Sequence, residues 1–282
     1  MTVIDPDTKA AWVPDGVDEP DEMPLSMRLS IADTLTLSNA ACGFLAVYFT
    51  TTGVLVPHLM GASDGGMARR SAATAVILML LASVFDLCDG LVARKLRSSA
   101  MGAELDNLSD LTSFGLAPAY FVLVWGIVAD DGHQRVSAVT AIVLLLAVVL
   151  RLARFSCTTM PNGVFQGMPS PFGALTVISV VLLELPFVPT VAAIVGVAWL
   201  MVSRVEYPKP RGRLALATLC WIFLSMACLA AWTVDAPGST ALLHMGASFQ
   251  LVSAALIPLL ATARRINTVR DNRREARAAH LR

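Results

Sequence analysis

The sequence predicts an all-α integral membrane protein, a polytopic bundle of about eight transmembrane helices. Hydrophobic residues make up 56% of the 282 positions, and charged residues only 15%. The mean hydropathy is +0.67, and the apolar residues gather into long segments. A water-soluble globular domain of this length would not normally show these values.

Eight apolar segments are expected to cross the bilayer, because most approach the roughly 20 residues that a spanning helix needs. They are residues 35–57, 71–94, 105–129, 136–156, 171–185, 188–203, 214–234 and 242–263. The stretch 171–203 is ambiguous, since the run Glu184-Leu-Pro186-Phe-Val-Pro189 fits a turn between two short helices or a kink in one long helix. We choose two helices.

The basic residues support this topology. With eight spans both termini lie on one side, and that side then holds most of the cations, as the positive-inside rule requires of the cytoplasm. The inner loops and tail contain Lys95, Arg97, Arg204, Lys209, Arg211, Arg213, Arg264, Arg265, Arg270, Arg273, Arg274, Arg277 and Arg282. The outer loops contain only Arg69, Arg70 and Arg135. We expect a multi-pass protein of the cell membrane with cytoplasmic termini.

Composition divides the chain into three parts. Residues 1–24 are acidic and Pro-rich, which predicts a disordered tail. Residues 25–263 form the transmembrane domain, and residues 24–34 could begin it with a short helix at the interface. Residues 264–282 are a basic cytoplasmic tail that either contacts anionic lipid heads or only orients the chain.

Two polar runs interrupt the apolar pattern and place four aspartates near the bilayer. They read Asp86-Leu-Cys-Asp89-Gly90-Leu-Val-Ala93-Arg94 and Gly102-Ala-Glu-Leu-Asp106-Asn-Leu-Ser-Asp110. At helical spacing the acidic residues of each run share one face, and a helical hairpin would bring the two faces together. Each ionised carboxylate costs about 2.5–3.5 kcal/mol in the bilayer, so four need counter-charges. Hard oxygen ligands favour Mg²⁺ or Mn²⁺, and two such ions would balance the site. Ordinary helix caps or ion pairs would explain one of these aspartates but not four in register.

The two runs together resemble the signature of the CDP-alcohol phosphotransferases, integral membrane enzymes that make phospholipid head groups. The matching residues are Asp86, Asp89, Gly90, Ala93, Arg94, Gly102, Asp106 and Asp110. The resemblance implies a six-helix catalytic core in which the four aspartates bind the metal ions and Asp110 is also the general base. It further implies a CDP-linked lipid substrate, CMP as the leaving group, and a homodimer.

The lipid-donor site is expected to include residues from both runs and from the first helix. They are Gly90, Ala93, Arg94, Ser99, Gly102, Thr36 and Asn39. Glycines let a nucleotide approach the backbone because no Cβ intervenes, and a guanidinium offers planar donors to phosphate oxygens. For Asn39 an interhelical hydrogen bond is the alternative interpretation.

Three further blocks resemble the phosphatidylserine synthases within this family. The first block is Ser113-Phe-Gly-Leu-Ala-Pro-Ala. The second has two parts, Arg151-Leu-Ala-Arg154-Phe155 and Phe165-Gln-Gly-Met-Pro-Ser-Pro. The third is Met201-Val-Ser-Arg-Val-Glu-Tyr-Pro. The resemblance therefore runs from about residue 33 to 210. It implies transfer of the phosphatidyl group from CDP-diacylglycerol to L-serine.

Arg151, Arg154 and Ser113 are the candidate serine-binding residues, because a serine carboxylate is well matched by a guanidinium. The alternatives are arginines that extend to lipid heads and a serine hydroxyl that bonds a helix carbonyl.

Two rival functions stay open. The same site could serve inositol phosphate or glycerol phosphate as acceptor, although a phosphorylated acceptor should require a denser basic pocket. Intramembrane carboxylates also mark ion pathways, so a divalent-cation transporter is the second alternative. Clustering of the aspartates at one membrane face favours the enzyme over the transporter. Membrane lipids are the expected surroundings, and no nucleic acid partner is expected. Direct attack and a covalent intermediate are both compatible with the sequence, and direct attack is the simpler expectation.

Overall fold

The computed structural model describes residues 30–62, 65–93, 101–129, 132–157, 164–208 and 213–280. Eight helices and two short strands account for most of these residues. The helices are α1 (Ile31–Leu59), α2 (Gly65–Ala93), α3 (Gly102–Val128), α4 (Gln134–Cys157), α5 (Ser170–Leu182), α6 (Phe187–Val202), α7 (Arg213–Thr233) and α8 (Ser239–His280). The strands are β1 (Val164–Gln166) and β2 (Glu206–Pro208).

Six of these helices are long and apolar enough to cross a membrane, and α5 and α6 are shorter apolar helices. The chain is therefore a multi-pass membrane protein, and the predicted all-α fold is confirmed. The choice of two helices over residues 171–203 is also right. Glu184 adopts a φ of 49°, which is incompatible with a continuous helix beyond Leu182. Pro186 occupies the N-cap position of α6.

Two local features differ from the sequence predictions. The connections that follow α4 and α6 pair as an antiparallel ladder, with Phe165 opposite Tyr207, because extended backbone in a packed region needs hydrogen-bond partners. Residues 31–34 form the first turn of α1 itself, and residues 24–29 of the predicted interfacial helix lie outside the described residues. Ser30 and Asp33 form a reciprocal cap there, in which the Asp33 carboxylate accepts from the Ser30 N–H at 2.7 Å.

The predicted domain ends lie partly beyond the described residues. The acidic segment 1–24 falls outside them. At the other end, α8 continues as one helix through Pro258 to His280, so most of the basic segment extends the last span. The proposed division into three parts remains a prediction.

Close packing of α1 against α3 fixes the backbone around the aspartates. The Ser109 hydroxyl donates to the Thr36 carbonyl at 2.5 Å, and the Ser113 hydroxyl donates to the Asn39 carbonyl at 2.7 Å. Gly43 permits this approach, since a Cβ there would lie 2.7 Å from the Ser113 Cα. Ser113 lies in a π-helical turn of α3 over Leu111–Leu116, and Ser109 lies two residues before that turn.

The α7–α8 hairpin packs against α2 and α5. Gln250 of α8 accepts a hydrogen bond from the Trp221 indole and donates to the Thr176 hydroxyl, both at 3.2 Å. At the opposite end of α2 from the aspartates, Arg69 pairs with Asp235 in the α7–α8 turn and lies over the Trp232 ring. This guanidinium lowers the pKa of Asp235. The hairpin thus contacts the rest of the bundle at two levels, through Gln250 to α5 and through Asp235 to α2.

Candidate active site

The C-terminal part of α2 and the start of α3 bring three of the four predicted aspartates together. Ligand oxygens of Asp86, Asp106 and Asp110 all lie within 4.8 Å of one another. Asp110 is buried, and the other two are half-buried. Asp89 follows Asp86 by one turn and is buried, and its Oδ2 accepts a hydrogen bond from the Thr36 hydroxyl at 2.7 Å. We call these four residues the acidic cluster.

The acidic cluster fits a divalent metal ion on two grounds. Oδ1 of Asp110 is buried and has no hydrogen-bond partner among the described residues, although buried carboxylate oxygens are normally satisfied. Arg151 interacts electrostatically with Asp86, Asp106 and Asp110, but one guanidinium leaves these carboxylates with excess negative charge. A donor set made only of carboxylate oxygens matches Mg²⁺ or Mn²⁺.

Arg151 lies near the C-terminal end of α4, only 8% exposed, and faces the first residue of α5. Its guanidinium donates to the Ser170 hydroxyl, while its Nε is buried without a hydrogen-bond partner in the described part of the chain. A buried guanidinium that keeps an unused N–H beside carboxylates can bind a small anion.

Arg154, one turn further along α4, is exposed and donates to the carbonyl of Val202 at 2.7 Å. It therefore covers the C-terminal end of α6, where a cation interacts favourably with free carbonyls. The structure places both predicted arginines near the site but gives them different neighbours.

A small pocket lies between the two arginines and the β1–β2 ladder. Arg151, Arg154, Phe155, Gln166 and Met201 line it, and its volume of about 10 Å³ is about the room of one water molecule. The ladder carries Gln166 to this position. The pocket thus brings together residues from three sequence segments, which contain Arg151, Gln166 and Met201.

Tyr207, the central residue of β2 in this ladder, is 2% exposed. Its hydroxyl has no hydrogen-bond partner among the residues that the structure describes. Burial raises its pKa to about 12, so the phenol stays protonated at neutral pH.

The other predicted residues occupy varied positions. Gly90 is half-buried, and a Cβ built there would meet nothing within 4 Å, so open space adjoins this turn of α2. Asn39 is fully buried beside Asp110, yet neither side-chain atom reaches hydrogen-bonding geometry with the described residues. Gly102 is the first residue of α3, and Ala93 is the last of α2. Arg94 and Ser99 lie outside the described residues.

Two neighbours of this site were not predicted from the sequence. Ser170 holds Arg151, and Gln166 lines the small pocket. Both lie in the block Phe165 to Pro171, so the signal was present but no side chain in it was singled out. The Thr36 hydroxyl donates to Asp89, and its predicted contact with the nucleotide stays a prediction.

Comparisons with known proteins agree with the site. The family model for CDP-alcohol phosphatidyltransferase matches residues 29–264. An archaetidylserine synthase of Methanothermobacter thermautotrophicus is 32% identical over 188 residues, which is 65% of this chain and 72% of that protein. A CDP-diacylglycerol–serine O-phosphatidyltransferase of Methanocaldococcus jannaschii is 30% identical over 203 residues, 72% and 83% of the two chains. The Bacillus subtilis protein of the same name is 29% identical over 180 residues, 62% and 87%.

Proposed function

Because the chain belongs to the CDP-alcohol phosphatidyltransferase family, we propose that it transfers the phosphatidyl group of CDP-diacylglycerol to the hydroxyl of L-serine. The products are phosphatidylserine and CMP. The observation that carries this proposal is the acidic cluster beside a buried, partly unpaired Arg151. The names of the similar proteins support serine as the acceptor, since all three are serine-lipid synthases by name.

The acidic cluster would hold two Mg²⁺ or Mn²⁺ ions through Asp86, Asp89, Asp106 and Asp110. Bound there, such ions would polarise the pyrophosphate and stabilise the charge that develops on the departing nucleotide. Thr36 orients the Asp89 carboxylate by its 2.7 Å hydrogen bond. Asn39 keeps its amide beside Asp110.

Proton transfer is the task of Asp110. In a direct displacement the serine oxygen bonds to the lipid-side phosphorus while the bond from that phosphorus to the CMP oxygen breaks. CMP leaves with the electron pair, and the hydroxyl proton passes to the Asp110 carboxylate. Its unpartnered Oδ1 is available for this role, and burial keeps water from competing for the phosphorus.

Arg151 is the better serine ligand of the two candidate arginines. Its Nε N–H is unused, whereas Arg154 already bonds the Val202 carbonyl. Binding of the serine carboxylate at Arg151 would keep the amino acid beside the acidic cluster. The Ser113 hydroxyl is fully buried and already donates to the Asn39 carbonyl, so direct contact between Ser113 and serine stays a prediction.

The donor nucleotide would approach α2 at Gly90, where the backbone adjoins open space. Ala93, Arg94, Ser99 and Gly102 would complete its contacts where α2 gives way to α3. The excess of cations in the loops at this end of the bundle supports a cytoplasmic site, where CMP and serine are soluble. The family resemblance supports a homodimer.

A comparison of acceptor alcohols tests the proposal. Purified protein with CDP-diacylglycerol and Mn²⁺ should release CMP with L-serine, and at far lower rates with inositol phosphate or glycerol phosphate. A preference for a phosphorylated alcohol would assign another acceptor to the same site. CMP release with none of the alcohols would favour the cation transporter.

Replacement of Thr36 by Val should weaken the metal site while leaving the fold intact. The variant keeps the side-chain shape but removes the donor to Asp89, and loss of such a supporting hydrogen bond typically costs 10- to 100-fold in metal affinity or activity. The measurement is the Mn²⁺ concentration for half-maximal CMP release, which should rise at least about tenfold. Thr34→Val is the matched control, since that exposed hydroxyl bonds only the Ser30 carbonyl. Equal activation by Mn²⁺ in both variants would contradict the role of Thr36.

A further inference from the structure

A second cavity lies between α2, α5 and the α7–α8 hairpin, away from the acidic cluster. Its volume is about 330 Å³, and its lining includes Val76, Leu80, Ile178, Leu229, Gly246 and Ala247. Because α2, α7 and α8 are long enough to span the membrane, this lateral cavity lies within the bilayer. At its rim Leu224, Leu242, Met245 and Phe249 are each more than half exposed, so it opens toward lipid.

The polar groups of the lateral cavity are already satisfied by the protein. Ser179 and Ser225 donate to the carbonyls of Leu175 and Trp221 at 2.8 and 2.9 Å. The Gln250 amide uses its oxygen on the Trp221 indole and its nitrogen on Thr176. A polar ligand would find few partners here, and an apolar cavity does not hold water well. The lining therefore selects an apolar occupant.

The size suits part of a hydrocarbon chain. A cavity of about 150 Å³ accommodates a six-carbon ring, so 330 Å³ corresponds to roughly a dozen carbons on the same scale. Helical rise gives the depth. Leu80 precedes Asp86 by six residues, or about 9 Å along α2, and Leu175 follows Ser170 by five residues, or about 7.5 Å along α5.

This depth is where the chains of a lipid belong when its phosphate lies at the acidic cluster. Two of the helices around the cavity lead toward the site. α2 carries Asp86, and α5 begins at Ser170, which accepts a hydrogen bond from Arg151 beside the acidic cluster. The cavity and the site thus share the two helices α2 and α5.

We propose that the lateral cavity binds one acyl chain of the lipid donor, and that the α7–α8 hairpin thereby contributes to acyl-chain selectivity. The inference rests on the proposed phosphatidyl transfer, because it assigns a subsite for the donor of that reaction. The last two helices, for which the sequence offered no motif, would then form one wall of the substrate site.

Gly246→Phe should fill the lateral cavity, since a Cβ at Gly246 meets nothing within 4 Å. Gly196→Phe in α6 is the matched control, because Gly196 also has open space at its Cβ but does not line the cavity. The rate of serine-dependent CMP release is measured with CDP-diacylglycerols of about 8 and about 18 carbons per chain. Exclusion of two or more methylenes should lower kcat/KM for the long-chain donor about tenfold, with less than about twofold change for the short one.

Three results would be informative in different ways. An equal loss for both chain lengths in Gly246→Phe, or no loss for either, would overturn the acyl-chain subsite while leaving the proposed function standing. An equally large loss of kcat/KM for the long-chain donor alone in Gly196→Phe would also overturn the acyl-chain subsite. Failure of the wild-type protein to release CMP with any acceptor would remove the proposed function and this inference together.

Fluorescence keeps the proposal testable without a cavity-filling variant. Trp221 lines the cavity, and a form in which the other four tryptophans are replaced by Phe retains it as the single emitter. CDP-diacylglycerol with brominated chains should quench this emission at the concentrations that support turnover. Absence of quenching would overturn the assignment. Equal quenching by brominated phosphatidylcholine alone would also overturn it, because the occupant would then be a bilayer lipid.

Discussion

Replacement of Asp110 by Asn is expected to reduce serine-dependent CMP release by about 10³-fold or more, because a general base contributes about 10² to 10⁴ in rate and the same carboxylate is a predicted metal ligand. Asn preserves the side-chain volume, so the buried position in α3 stays filled. The amide carries no negative charge and cannot accept the proton of the incoming hydroxyl. The measurement is initial CMP release at saturating CDP-diacylglycerol and serine.

Asp235→Asn provides the control for Asp110→Asn. Asp235 pairs with Arg69 at the other end of α2, and an exposed ion pair contributes little to stability. This variant should retain wild-type turnover. If Asp110→Asn kept a tenth or more of the activity while melting like the wild type, another group would have to be the base.

Replacement of Arg151 by Lys should raise the KM for serine by about 10- to 100-fold, since hydrogen bonds to a charged group contribute about 1.5–3 kcal/mol. Lys keeps the positive charge beside the acidic cluster, which separates the loss of hydrogen bonding from the loss of charge. An ammonium lacks the planar set of donors that can bond Ser170 and a carboxylate at once. The serine dependence of CMP release gives KM and kcat separately.

Arg154→Lys is the comparison for Arg151→Lys. If Arg151 is the serine ligand, Arg154→Lys should change the KM for serine by less than about threefold, because a lysine at this position can still reach the end of α6. A larger increase in KM for Arg154→Lys than for Arg151→Lys would exchange the roles of the two arginines. An unchanged KM in both would remove the arginines from serine binding.

The helices were predictable because their physical cause is local. A spanning segment must be apolar and must satisfy its own backbone, so composition located the apolar segments. The turn at Pro186 was one of two interpretations of the run from Glu184 to Pro189. The starts were less accurate, since α1 begins at Ile31 and α2 at Gly65, before the strongly apolar residues. Caps such as Ser30 and small residues such as Gly65 extend a helix without raising its hydropathy.

The proximity of Asp86, Asp106 and Asp110 was also predictable, because aspartates at helical spacing share one face of each helix and a hairpin brings two such faces together. The contacts around them were not. The partner of Arg151 is 19 residues away at the start of α5, and that of Asp89 is 53 residues away in α1. The β1–β2 ladder depends on the way α4 and α6 bring two loops together. Such pairings follow from tertiary packing, and periodicity in one segment carries no information about them.

The most direct test of the account follows labelled serine and CMP in one reaction. Purified protein in lipid vesicles receives CDP-diacylglycerol and isotopically labelled L-serine, first with Mn²⁺ and then after chelation of the metal. We predict one CMP for each labelled phosphatidylserine formed, no turnover after chelation, and recovery when Mn²⁺ is restored. CMP release at the same rate without serine, or turnover that continues undiminished in the chelator, would contradict metal-dependent transfer of the phosphatidyl group to serine.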